Sequence, residues 1–354
     1  MLNIEENYFK NKFKDYFIAK ILKRSGKKQA DIWKAGHKNR TGGSLIKDFL
    51  ESHLDSSDDV LTLSEKLGYA NHEKLLIIHA DDIGLTSAAN AGAFNAFEFN
   101  IVTCGSVMVP CPDFPEVAEY CREHPQVDMG VHFTLTSELE NHRWGPVAPV
   151  DKVPSLVDEE GYMWGNLWDI KNNAESEEVE IELRAQIEKA LENGIKPTHL
   201  DTHMGAILVR KDIFLIYARL AKEYDIPPLL VKFTPEIVNR YIEHVTEREI
   251  ELFYKIVQKA RYPLLDNLIL GVAGNTYEEK KAAYYARLRD LKPGVNQLIV
   301  HLGIDDDEVK DIDRNYMARY IDYMVFTDLE TQVLIDELEI KLIGWEDIKE
   351  AVDF

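Results

Sequence analysis

From Lys74 onward, short runs rich in leucine and β-branched residues alternate with segments of helical period. Such alternation leaves little choice of fold, because parallel strands need a long crossover between them and helices supply it. The candidate strands are Leu75–Ala80, Ile101–Val109, Val127–Phe133, Pro197–Asp201, Leu229–Phe233 and Gln297–His301. Among the intervening segments, 177–193 carries Leu183, Ile187, Ala190 and Leu191 at helical spacing and stops before Gly194, a good C-terminal cap. Six such units predict a sheet that curls toward closure. The expected class is therefore α/β: a barrel-like parallel (β/α) fold of distorted TIM-barrel type.

The first strand is the most informative. Leu75-Leu76-Ile77-Ile78-His79-Ala80 is an apolar run of the kind buried in a parallel sheet, and it ends in Asp81-Asp82-Ile83-Gly84. Two adjacent carboxylates then stand where the strand gives way to a loop, the edge at which α/β folds bind ligands. Side by side they repel unless a positive charge lies near. A divalent cation meets that need, with one carboxylate as ligand and the other free to move protons. Capping of the following helix is the plainer use of an aspartate there.

Histidines change the balance. His132 follows Met129-Gly130-Val131, His199 and His203 flank Leu200-Asp201-Thr202, and His301 ends Leu298-Ile299-Val300. A lone histidine at a strand end is usually a hydrogen-bonded core residue. Several of them together with Asp81 and Asp82 favour a metal site, since an Asp-His-His set suits a divalent ion with positions left open. There is no Gly-rich phosphate loop, no G-x-S-x-G elbow and no C-x-x-C pair to compete with it.

Bulk properties narrow the partners. In 354 residues, 45% are apolar, enough for a substantial core. A net charge of −21 argues against nucleic acid or an anionic membrane as partner. Cys104, Cys111 and Cys121 lack metal-site spacing and read as buried free thiols in a reducing compartment. No apolar run is long enough to span a bilayer, and the acidic start, Met1 to Glu6, has no secretory core, so a cytoplasmic protein is expected. Residues 1–72 read as an N-terminal extension with one or two helices, its 10–24 stretch basic and aromatic. Residues 73–305 read as the barrel domain, and 306–354 as an acidic and then helical segment that completes it.

These motifs together resemble the YdjC/ChbG family of carbohydrate deacetylases. The resemblance covers roughly 74–305 and rests on four motifs in the family's order: His79-Ala80-Asp81-Asp82-Ile83-Gly84, Gly130-Val131-His132-Phe133-Thr134-Leu135, Pro197-Thr198-His199-Leu200-Asp201-Thr202-His203, and Pro293-Gly294 followed by Leu298-Ile299-Val300-His301. It implies Asp81 as general base, Asp82, His132 and His203 as ligands of one divalent ion (zinc or magnesium), and His301 as the acid that protonates the leaving group. Two departures stand out. Met204-Gly205 follows His203 where the family often has a further histidine, and His301-Leu302-Gly303 replaces His-Pro-Gly. Both imply a subgroup with its own substrate.

The function this predicts is metal-dependent removal of an acyl group, acetyl first of all, from an N-acetylated sugar or related carbohydrate. Asp201, two residues before His203 on an alternating strand, is expected to face the same way and fix that imidazole's tautomer. His199 shares its parity and reads as a supporting residue, and His79 has the parity of Asp81. Glu138, Arg143 and Trp144, in the loop after the His132 strand, are candidates for holding a sugar ring. A divalent-metal sugar isomerase and a non-catalytic carbohydrate-binding relative are the alternatives. The oligomeric state is open, a homo-oligomer included.

Overall fold

The computed structural model describes residues 61–232, 255 and 262–352. Among these residues seven strands form one sheet: β1 (Lys74–Ile83), β2 (Cys104–Val107), β3 (Met129–Phe133), β4 (Leu200–Thr202), β5 (Asn267–Leu270), β6 (Gly294–His301) and β7 (Lys341–Leu342). Their order is β4-β3-β2-β1-β6-β5, with β7 beside β1, and every pairing is parallel. One flank of β1 is shared in succession, Leu75 and Leu76 pairing with β7 and His79 to Ile83 with β2.

Single parallel bridges, Leu200 with Pro228 and Val231 with Leu265, carry backbone pairing from β4 across residues 228–231 to the chain just before β5. The sheet thus curls into the distorted barrel that the strand–helix alternation predicts. Helices fill the crossovers, including Ser87–Glu98 after β1, Ser176–Glu192 before β4, Tyr277–Arg289 before β6 and Tyr316–Phe326 after it. The first of these starts where the Thr86 hydroxyl accepts from the Ala89 amide. It packs close against the loop after β6, because a Cβ on Gly92 would fall 2.7 Å from the Gly303 backbone.

Several boundaries differ from the sequence reading. β5 and β7 were not expected: β5 is short and half-buried, and β7 has only two residues. Where a strand was expected at 229–233 there is only the bridge at Val231, the other falling just before it at Pro228, and Phe233 lies outside the described residues. The first sixty residues of the expected N-terminal extension, the basic 10–24 stretch among them, also lie outside. All three cysteines are buried and free.

The strand period sorts the interior. Leu75 and Ile77 join Cys104, Leu265, Val295, Ile343 and Trp345 in one apolar cluster near the N-terminal ends of the strands. His79 and Asp81 continue the same face of β1 toward its C-terminal end. Apolar filling gives way there to histidines and carboxylates, His79, Asp81, His132, His199 and Asp201, all buried.

Candidate metal centre

The two carboxylates of β1 reach the site through a break in the sheet register. Ala80 pairs with Gly105 and Ile83 with Val107, so Asp81 and Asp82 together oppose Ser106 alone. At this bulge Asp82 takes a left-handed backbone, φ 62°, which re-aims its side chain. Adjacent strand residues would otherwise face opposite sides.

Asp82, His132 and His203 each offer a ligand atom, and those atoms lie within 4.8 Å of one another. Asp82 Oδ1 is 3.3 Å from His132 Nε2 and 3.0 Å from His203 Nδ1. Each imidazole is held from behind by a carboxylate. His132 Nδ1 lies 2.8 Å from Asp201 Oδ1, and His203 Nε2 lies 2.7 Å from Glu138 Oε1. A ring that gives its hydrogen to a carboxylate presents the lone pair of its other nitrogen, the arrangement a metal-binding histidine needs. The residues present therefore fit a divalent ion, with Asp82 Oδ1, His132 Nε2 and His203 Nδ1 as the donor set.

Charge balance is consistent with this. Burial opposes ionisation of Asp82, but the Arg319 guanidinium, then His203 and His132, hold its carboxyl well below the usual range. Burial likewise opposes protonation of His203, yet Glu138 and Asp82 raise it to about 9. His132 is raised as well, Asp201 and Asp81 overcoming its burial. Four carboxylates thus gather positive charge around one point. In the absence of an ion, protons on the two rings and Arg319 supply it.

Asp81 stands beside this set. Its Oδ1 is 2.7 Å from His79 Nδ1, and its Oδ2 is 4.0 Å from His132 Nε2. His301 ends β6 directly opposite Asp81 in register, its Nε2 3.8 Å from Asp82 Oδ2 and its side chain 41% exposed. That exposure places the ring at the mouth of the site, while Asp81 and Asp82 lie deeper.

Other expected residues fall elsewhere or act differently. Asp201 backs His132 and not His203, because β4 ends at Thr202 and the chain then turns through Met204 and Gly205, both at positive φ. Glu138, read as a sugar contact, is the residue that touches His203. His199 is buried and sits against His79, with Nε2 to Nε2 2.6 Å. Arg143 is tied to Asp158 and to the Met163 carbonyl, away from the cluster. Trp144 is 2% exposed and packs with Leu85, Met108, Cys111 and Met163, so its indole is a core group.

Two contributors were not read from the sequence. Ser106 Oγ donates to Asp201 Oδ2 at 2.9 Å and lies 3.0 Å from His132 Nδ1, steadying that pair. Arg319 reaches Asp82 Oδ2 at 2.8 Å and Asp313 Oδ2 at 2.7 Å, and its buried Nη1 has no partner among the described residues. Ser106 lies on an expected strand next to no motif, and Arg319 is one basic residue on an amphipathic helix, so no local signal marked either.

Comparison with known proteins places this arrangement. A family profile described as "YdjC-like protein" matches residues 75–337. The chain belongs to the YdjC-like family. The matched span runs from the second residue of β1 through β6 and takes in all of the clustered side chains and Arg319. A relative from Thermus thermophilus, named a carbohydrate deacetylase, is 32% identical over 82% of this chain and all of its own length. One from Proteus mirabilis, named a chitooligosaccharide deacetylase, is 31% identical over 43% of this chain and 57% of its own. Among solved structures, a putative cellobiose-phosphate cleavage protein from Enterococcus faecalis is similar with a TM-score of 0.64 and 26% identity, over 78% of this chain and 99% of that one.

Proposed function

We propose that the protein is a metal-dependent carbohydrate deacetylase that hydrolyses the acyl–nitrogen bond of an N-acetylated sugar. The observation that carries this reading is the convergence of Asp82, His132 and His203, each ring backed by its own carboxylate. Relatives named as deacetylases supply the substrate class.

A divalent ion held by these three residues would polarise the acyl carbonyl and make a nearby water acidic. Zinc and magnesium are both compatible with one carboxylate and two imidazoles. Asp81 acts as the base: His79 holds Oδ1, which leaves Oδ2 to take a proton from water as its oxygen bonds to the acyl carbon. His301, at the mouth, gives its proton to the departing nitrogen as the C–N bond breaks. The products are acetate and the free amino sugar. Arg319 neutralises Asp82. Residues 73–305 carry the chemistry, and 306–354 complete it through Arg319 and β7.

The test is acetate release from a panel of N- and O-acetylated sugars, with the protein stripped of metal and reloaded with zinc, magnesium, manganese or cobalt. Metal-dependent acetate release is expected from at least one N-acetyl sugar. An isomerase would convert a sugar and release nothing, and a binding module would do neither. Isomer formation without acetate, or acetate release unaffected by stripping, would overturn the proposal.

A further inference from the structure

A line of hydrogen bonds runs through the barrel interior from Asp81 to the opposite end of the strands. His79 Nδ1 meets Asp81 Oδ1 at 2.7 Å, and His79 Nε2 meets His199 Nε2 at 2.6 Å. His199 Nδ1 meets Thr198 Oγ1 at 2.9 Å, and that hydroxyl bonds to Asp128 Oδ1. Asp128 Oδ2 accepts the Glu346 amide at 2.8 Å. Both rings are fully buried, whereas Asp128 just precedes β3 and lines a surface groove with Thr103, Val127, Gly344 and Asp347. Room for the line is built in. A Cβ on Gly130 would come within 2.5 Å of the His199 ring, and Trp345 stacks on the ring at 4.9 Å.

We propose that Thr198 and Asp128 are positioning residues for Asp81, setting through the tautomer of His199 whether a neutral or a protonated His79 ring faces the base. This rests on the deacetylase reading for its catalytic meaning, but its hydrogen-bond logic stands on geometry alone. A neutral imidazole carries one N–H, and every nitrogen in this line is already engaged. With Asp81 a carboxylate and His199 neutral, two patterns satisfy all the contacts. With Asp128 ionised, Thr198 donates to it, His199 Nδ1–H donates to Thr198, and His79 Nε2–H donates to His199. The short contact of His79 Nδ1 with the Asp81 carboxylate then requires a second hydrogen on that ring; burial opposes it, but Asp81 raises His79 above the usual imidazole range. With Asp128 protonated on Oδ1, the three bonds from Asp128 to His79 reverse, and a neutral His79 donates Nδ1–H to the Asp81 carboxylate. The second pattern sets a neutral ring beside the base, the first an imidazolium. Conversion of the second to the first moves three hydrogens one step each, from Asp128 to Thr198, from Thr198 to His199 and from His199 to His79. The net change is one proton lost by Asp128 and one gained by His79, whose ring then carries the charge that faces Asp128 and His199.

Both ends of the line suit the switch. Burial raises Asp128 to about 6, against the pull of Thr198 and the Glu346 amide, with His79 and Glu346 as the charged groups facing it. His199 is held neutral, its burial and the neighbouring His79 lowering it well below the usual imidazole range.

Asp128→Asn distinguishes the patterns. The Glu346 amide requires an oxygen at the Oδ2 position, so the amide NH2 takes the Oδ1 position and donates to Thr198. That locks the second pattern. The measurement is the ring nitrogen-15 spectrum of histidine-labelled, zinc-loaded protein at pH 8, assigned with single His→Gln variants. At that pH the parent is expected to show Nδ1–H on His199, and Asp128→Asn to show Nε2–H on His199 together with a changed His79. In a Thr198→Val background, isosteric but without the hydroxyl, Asp128→Asn should leave His79 unchanged. Should Thr198→Val not fold, the Asp128→Asn spectrum decides by itself. An unchanged His79 in Asp128→Asn, or the same change with and without the hydroxyl, would overturn the proposal. None of this needs a substrate, so its failure is separable from failure of the deacetylase reading. With an acetylated sugar that is turned over, Thr198→Val should lower kcat about tenfold at constant KM and metal content, and Thr198→Ser should restore it.

Discussion

His132 on β3 and Asp201 on β4 are register partners on neighbouring strands, and Asp201 Oδ1 lies 2.8 Å from His132 Nδ1. The pairing of the two strands therefore also fixes the imidazole. It leaves Nε2 directed at Asp82, and Ser106 on the next strand holds the second Asp201 oxygen. Burial works against the Asp201 charge, but His132 keeps its carboxyl below the usual range.

Asp201→Asn should therefore weaken the metal site without dismantling it. An amide keeps the shape but loses the charge that orients the ring, and such supporting changes typically cost roughly 10–100-fold in affinity or activity. Metal titration against a competing chelator measures the loss, with circular dichroism as the control for fold. Undiminished affinity would show that Asp201 does not tune His132.

Much of this arrangement was legible in the sequence, and the misses have physical causes. β1, β3 and β6 could be read because apolar runs inside a parallel sheet are nearly continuous, and residues at or next to their C-terminal ends, Asp82, His132 and His301, mark the candidate site. Parity failed at Asp201 and His203 because it holds only while the strand continues, and β4 stops between them. It could not foresee the bulge that turns Asp82 beside Asp81. Arg319 lies 237 residues from Asp82 in the chain, and the packing of its helix against β6 and against the helix after β1 unites them. Trp144 shows the opposite error: a loop aromatic next to charged residues proved to be core.

Metal binding should expel protons. His203 is raised to about 9, and His132 is raised too, so both rings carry extra protons in the ion-free protein at neutral pH. An ion can use only the deprotonated nitrogens. Below about pH 9 the His203 ring alone should cost up to about tenfold in apparent affinity for each unit of acidification. Affinity therefore rises with pH through this window. Calorimetry in buffers of different ionisation enthalpy counts the released protons, and a count of zero at pH 7 would contradict the charge balance described for the two rings.

Arg319 should matter most when no ion is present. It is the cation that pairs with both Asp82 and Asp313, and its side chain is 13% exposed. Arg319→Met leaves two buried carboxylates without it, a change worth about 3–5 kcal/mol when one partner of a buried pair is removed. The urea midpoint of metal-free protein should fall accordingly. Adding zinc should recover part of the loss, since an ion at Asp82 restores positive charge there. Equal destabilisation with and without zinc would mean that Arg319 serves packing alone.

Asp81 and Asp82 are neighbours in sequence but should fail differently. Asp82 faces both rings, with Oδ1 at 3.3 Å from His132 Nε2 and 3.0 Å from His203 Nδ1, so Asp82→Ala removes a ligand. Metal content and activity should then fall together. Asp81 touches His79 and stays 4.0 Å from His132 Nε2, so Asp81→Asn should keep the metal and lose the base. General-base catalysis is worth about 10²–10⁴-fold, and a drop in kcat of that size at full metal occupancy is the expected signature. Elemental analysis alongside acetate release separates the two. An Asp81→Asn protein without metal beside an Asp82→Ala protein that keeps it would reverse the two roles. If neither variant slowed a confirmed substrate, the pair would be no more than the bulge and helix entry of β1, and the proposed chemistry would have no base.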